Sequence, residues 1–194
     1  MYTFLTRNTI TSDTSELDIV IASGYDEIVF EFNQYRGGAS HGNGFGWQVN
    51  TASDSGWDRP MCTSNYGINS GYGYNWQSDS FYNSHETHIG FQMPTDQALQ
   101  GITMAGENET GDADISSMSS SGMLTLYKPK EASLGYDKHF ISSGAANYKS
   151  GSAWYTYSHS MAGYIKETEA LTAIRFEPFV GNFDRIIVNQ YGLA

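Results

Sequence analysis

His85-Glu86-Thr87-His88 is the one place where two imidazoles stand close together in this chain. A two-histidine zinc motif needs them one helical turn apart, on the same face. In a strand, a spacing of three sends them to opposite faces, and no cysteine or third histidine is near. Glu107, Glu109, Asp112 and Asp114 offer the hard oxygens that Ca²⁺ takes. Their spacing matches no loop of fixed geometry, and such a run reads as a solvated turn. Cys62 is a lone cysteine without an activating neighbour, so it reads as a small packed residue and no disulfide is expected. Asn108-Glu109-Thr110 fits the N-glycosylation pattern by chance alone if the chain is not secreted. No metal and no cofactor are expected.

Catalytic signatures are equally scarce. There is no Gly-x-Ser-x-Gly elbow, no P-loop and no dinucleotide fingerprint. The carboxylate pair of a glycoside hydrolase is defined by separation in space, so no spacing marks one among 21 acids. A polysaccharide depolymerase is therefore the weakest reading, and the expectation is that the chain is not an enzyme.

The most suggestive stretch is the Gly and aromatic block from Gly42 to Tyr82. Trp57, Tyr72, Tyr74 and Trp76, beside Asn, Gln and Asp, would suit stacking on sugar rings while polar groups read the hydroxyls. The same rings would fill a sandwich interior or a subunit interface, where aromatics are also enriched, and that is the preferred reading. These four residues are the candidate binding residues in either case.

Strands must position them. Ile28, Phe30 and Phe32 alternate with Glu27, Glu31 and Asn33, and Ile174 and Phe176 alternate with Arg175 and Glu177. That period of two marks strands with one face on a core and one in water. Asp184-Arg185-Ile186-Ile187-Val188 is apolar on both faces at its centre, and Gly181-Asn182 before it suits a tight reversal. Further strands are expected at Tyr2–Thr6, Leu17–Ile21, Gly44–Asn50, Pro60–Thr63, Gly73–Gln77, His88–Gln92, Ala113–Met118, Met123–Tyr127, Tyr136–Ser142 and Ala153–Ile165, with a helical turn at Met93–Leu99. The expected fold is all-β, a two-sheet antiparallel sandwich of jelly-roll type with long Gly/aromatic loops. It forms one domain over 1–194, within which 36–100 is a loop-rich aromatic insert.

Composition narrows the partners. A net charge of −11 argues against nucleic acid, which needs clustered Lys and Arg, and against an anionic membrane surface. The longest aliphatic run, Ile19-Val20-Ile21-Ala22, is far too short to span a bilayer, and the N-terminus lacks a basic segment followed by an apolar one. Synthesis in a cytoplasm without membrane insertion is expected.

Three segments carry a resemblance: Tyr25-Asp-Glu-Ile-Val-Phe-Glu-Phe-Asn33; Ser121-Gly-Met-Leu-Thr-Leu-Tyr-Lys-Pro129 followed by Lys138-His-Phe-Ile-Ser142; and Ala162-Gly-Tyr-Ile165 through Gly181-Asn-Phe-Asp184 to Tyr191-Gly192. In this order and spacing they resemble small virion structural proteins of tailed phages of aquatic bacteria, of the decoration or tail-fibre type. The likeness spans both ends and the centre and is diffuse between 36 and 100. It implies a virion protein assembled in the host cytoplasm, binding capsid or tail proteins and itself as a homo-oligomer, a trimer or hexamer with the trimer preferred. It transfers no catalytic residue. Placement as capsid cement or as a tail or fibre component stays open. The alternative is a carbohydrate-binding module that recognises host surface glycan through Trp57, Tyr72, Tyr74 and Trp76.

Overall fold

The computed structural model describes residues 1–37, 45–51, 61–70, 100–103, 120–132, 135, 138–150, 153–165, 168–178 and 182–194. All regular elements among them are strands: β1 (Thr3–Ile10), β2 (Leu17–Val20), β3 (Glu27–Gly37), β4 (Phe45–Thr51), β5 (Met61–Ser70), β6 (Gln100–Thr103), β7 (Ser120–Tyr127), β8 (Lys138–Ser150), β9 (Ala153–Ile165), β10 (Leu171–Pro178) and β11 (Phe183–Leu193). They form two antiparallel sheets, β1-β11-β3-β7-β8-β9-β5 and β2-β10-β4-β6.

The strand order has a simple logic. With β5, β8 and β9 set aside, the first strand pairs with the last and the second with the second-to-last. The remaining sets, β1-β11-β3-β7 and β2-β10-β4-β6, are the two sheets of a jelly roll. The expected all-β sandwich of jelly-roll type is the fold. The other three strands come from two separate places in the chain, between β4 and β6 and between β7 and β10. They meet through the β5–β9 ladder and extend one sheet to seven strands.

Alternation decides which residues enter the core. Ile28, Phe30 and Phe32 on β3, Leu124 and Leu126 on β7, and Ile186 and Val188 on β11 are all buried. They meet Phe45, Trp47 and Val49 of β4 and Ile174 and Phe176 of β10. Phe45 lies at the centre of the aromatic contacts between sheets, edge-on to Phe32 at 5.2 Å and to Phe176 and Phe183 at 6.0 Å. Gln190 also points inward, and its Nε2 donates to the Val20 carbonyl at 2.9 Å, so a buried amide ties one sheet to the other. Trp47 Nε1, fully buried, has no such partner among the described residues. That orphan donor costs about 1–3 kcal/mol, which the indole's packing, including the Phe140 ring at 4.9 Å, must outweigh.

Three sequence expectations are revised. Gly181-Asn182 does not close a hairpin: β10 lies in the four-stranded sheet and β11 in the seven-stranded one, so the chain crosses between sheets there. β5 and β8 run far beyond their expected ends, to Ser70 and Ser150. β6 was not expected at all. The expected strands at 73–77, 88–92 and 113–118 and the helical turn at 93–99 lie outside the described residues.

Candidate binding surface

The outer face of the seven-stranded sheet is built from the residues that alternate with the core. One register row crosses Arg7, Asn189, Glu31, Met123 and Ser143. The next crosses Phe4, Tyr191, Val29, Thr125 and Ile141. Their two ends differ in chemistry.

On β1, β11 and β3 the row is a polar network. Arg7 Nε donates to Asn189 Oδ1 at 2.8 Å, and Asn189 Nδ2 donates to Glu31 Oε2 at 2.8 Å. The Tyr191 hydroxyl donates to the same carboxylate oxygen at 3.0 Å. Phe4 packs edge-on against Tyr191 at 5.7 Å, and the Tyr2 hydroxyl donates to Glu27 at 2.7 Å. The Asn189 amide above all, then the Tyr191 hydroxyl, Asn33 and the charge of Arg7, hold the Glu31 carboxyl below its ordinary range against the opposing effect of partial burial. The same bond raises the Tyr191 hydroxyl.

A carboxyl group lowered in the folded state stabilises it above the unfolded value, and that contribution is lost as pH falls through the folded value. The wild type should therefore lose thermal stability as pH drops below 4.5, and Glu31→Gln should flatten that part of the melting-temperature curve. Parallel curves for the two proteins would show that the network does not store proton-linked stability.

On β7 and β8 the described residues of this face include no acid and are mostly small: Ser121, Thr125, Ser143 and Ala145. Met123 and Ile141 stand out from it, 50% and 46% exposed, as Tyr2 and Phe4 do at the other end, 48% and 54% exposed. Among the described residues these are four of the six large apolar side chains left in water; Met1 and Val20 are the others. The outer face of the small sheet is unlike this one. There Arg175 binds Asp18 through two bonds of 2.7 Å and Glu16 at 2.7 Å, with Glu177 on the same strand.

Trp57, Tyr72, Tyr74 and Trp76 lie outside the described residues, as do His85, His88 and the acids from Glu107 to Asp114. What is described is β5 between them. Trp57 precedes its start and Tyr72 follows its end, and a ten-residue strand separates those ends by about 30 Å. Among the described residues no three His, Cys, Asp or Glu side chains gather as a metal site would require. None of them forms a helix long and apolar enough to cross a membrane.

The Met123–Ile141 surface was missed in the sequence, though a signal was present. In Met123-Leu124-Thr125-Leu126 and in Phe140-Ile141-Ser142 the core takes Leu124, Leu126 and Phe140, which leaves an apolar residue at the solvent parity on each of two adjacent strands. No family model, curated protein or solved structure matches this chain.

Proposed function

We propose that this chain is a structural protein exposed on the surface of a tailed-phage particle, as capsid decoration (cement) or as a tail or fibre component. It acts by protein–protein binding and not as an enzyme. The observation that carries the reading is the outer face of the seven-stranded sheet, a β surface with Tyr2, Phe4, Met123 and Ile141 in water. Apolar and aromatic side chains gathered on one face are what a binding surface needs at its centre. A jelly roll is a frame that capsid and lectin domains both use, so it agrees with the reading without selecting the site. The resemblance of the three quoted segments to phage virion proteins supplies the setting, and a net charge of −11 suits a protein displayed in many copies.

The glycan-binding alternative draws on the same frame and on Trp57, Tyr72, Tyr74 and Trp76, which flank the added strand β5. The test that separates the two is pelleting of the purified protein with phage heads, tails and host cells in parallel. Saturable binding to heads or tails is the expected result. Retention by host cells alone would place the glycan reading first.

A further inference from the structure

We propose that a second copy of this chain docks on the outer face of the seven-stranded sheet, face to face about a two-fold axis running parallel to the strands beneath β7 and β8. The inference names the partner and geometry for one use of the binding surface above, and so rests on the protein-binding reading.

Charge selects both the partner and the axis. The chain holds 21 Asp and Glu, yet β7, β8, β9 and β5 carry none. Two copies of net charge −11 that meet through most other surfaces bring carboxylates together. The outer face of the small sheet shows Glu16, Asp18 and Glu177 against the single Arg175. On the large sheet the described acids of the outer face, Glu27 and Glu31, sit on β3, to one side of the β7–β8 centre. A two-fold axis parallel to the strands lays β3 of one copy over β9 of the other, where no carboxylate stands, and lays β7 over β8. An axis across the strands would instead stack β3 on β3 and set Glu27 and Glu31 near their own copies. The same patch on both sides satisfies the self-complementarity that a two-fold contact requires.

Shape and size agree. Ser121, Thr125, Ser143 and Ala145 keep the face low enough for two sheets to approach to about 10 Å. Position along the strands is kept about this axis, so Met123 of one copy lies over Ser143 of the other and Ile141 over Thr125, and the two Ile141 side chains come beside each other at the axis and leave water. The four strands that the axis superposes, β3, β7, β8 and β9, at about 4.8 Å spacing over eight residues at about 3.3 Å, give a face of about 500 Å² per copy, about 1,000 Å² in all, the least that a specific contact needs. This assembly is a dimer, whereas the family resemblance implies a trimer or hexamer, so mass alone discriminates.

The test is sedimentation equilibrium of the full chain and three charge variants. The wild type should show about twice the 21.4 kDa chain mass. Ile141→Glu should raise the dissociation constant about a hundredfold, because each copy then brings a carboxylate to the centre of the contact. Val20→Glu, on the outer face of the other sheet, should leave the wild-type mass unchanged. Mixing Ile141→Glu with Ile141→Lys should restore the dimer, which a folding defect would not do. A monomeric wild type, a trimer, or a dimer indifferent to Ile141→Glu would each overturn the proposal. A monomer that still pelleted with heads or tails would leave the virion reading standing and remove only the two-fold contact.

Discussion

Replacing Phe45 by alanine should cost about 3–5 kcal/mol, the range for emptying a large aromatic from a close-packed core. The ring is fully buried and touches Phe32, Phe176 and Phe183 edge-on, so its loss opens a space bounded by both sheets. Those neighbours are held by their own ladders. Phe32 lies between β11 and β7, and Phe176 between β2 and β4, so neither can collapse into the gap without breaking register. At about 2–4 °C per kcal/mol for a chain of this size, the melting temperature should fall by about 6–20 °C. Phe4→Ala is the control: an exposed ring on the outer face, paired with Tyr191, whose loss should cost no more than about 1.5 kcal/mol. Equal effects for the two would mean that the sheets are not joined through Phe45.

Gly122→Ala should be nearly as damaging for the opposite reason. A Cβ at this position would come within 2.6 Å of Phe32 Cζ and closer still to the backbone carbonyl of Ser143 on the neighbouring strand. The Phe32 ring is fully buried against Phe45, and the carbonyl belongs to a ladder, so neither gives way easily. Overpacking of this kind costs about 1–3 kcal/mol, and backbone contact places Gly122 at the upper end. Shortening Phe32 to leucine should relieve part of the clash. The double variant Gly122→Ala with Phe32→Leu should then be less destabilised than the sum of the two singles, as measured by urea unfolding. Strict additivity would show that the glycine answers to something other than the ring.

Both predictions bear on how much of the molecule was legible beforehand. β3 and β10 were plain, because Phe30 and Phe32, and Ile174 and Phe176, alternate with charged or polar residues and the burial follows that alternation; only Val29, apolar at the solvent parity and buried, breaks it. β5 and the second half of β8 were not. Ser64-Asn65-Tyr66-Gly67 and Ser142-Ser143-Gly144-Ala145-Ala146 have little strand propensity of their own, and only the ladders to β9 and β7 hold them extended. β6 is four residues long with a glycine inside, too short for periodicity to register. Gly181-Asn182 announces a change of direction but carries no information on which sheet receives the next strand, and so a crossover looked like a hairpin.

The glycines of the quoted segments gain a physical reason. Gly122 lies under Phe32, and a Cβ on Gly192 would collide with the Tyr25 ring, so both mark close packing where a pattern alone showed only repetition. The binding surface was half legible. Parity on β7 and β8 marks Met123 and Ile141 as misplaced apolar residues, but their adjacency depends on register, which no local pattern reveals. The polar row beside them joins Arg7 to Asn189 across 182 positions of sequence, and only the pairing of the first strand with the last brings the two together.

The proposed role of this surface is binding on a phage particle. It is tested most directly by cosedimentation of the purified protein with heads and with tails that lack it, the wild type beside Ile141→Glu. Saturable pelleting of the wild type with one of the two particle parts is the expected result. The variant then reports whether that attachment shares the surface used between copies. A wild-type protein that stays in the supernatant with both heads and tails, at concentrations where it is folded, would contradict the account.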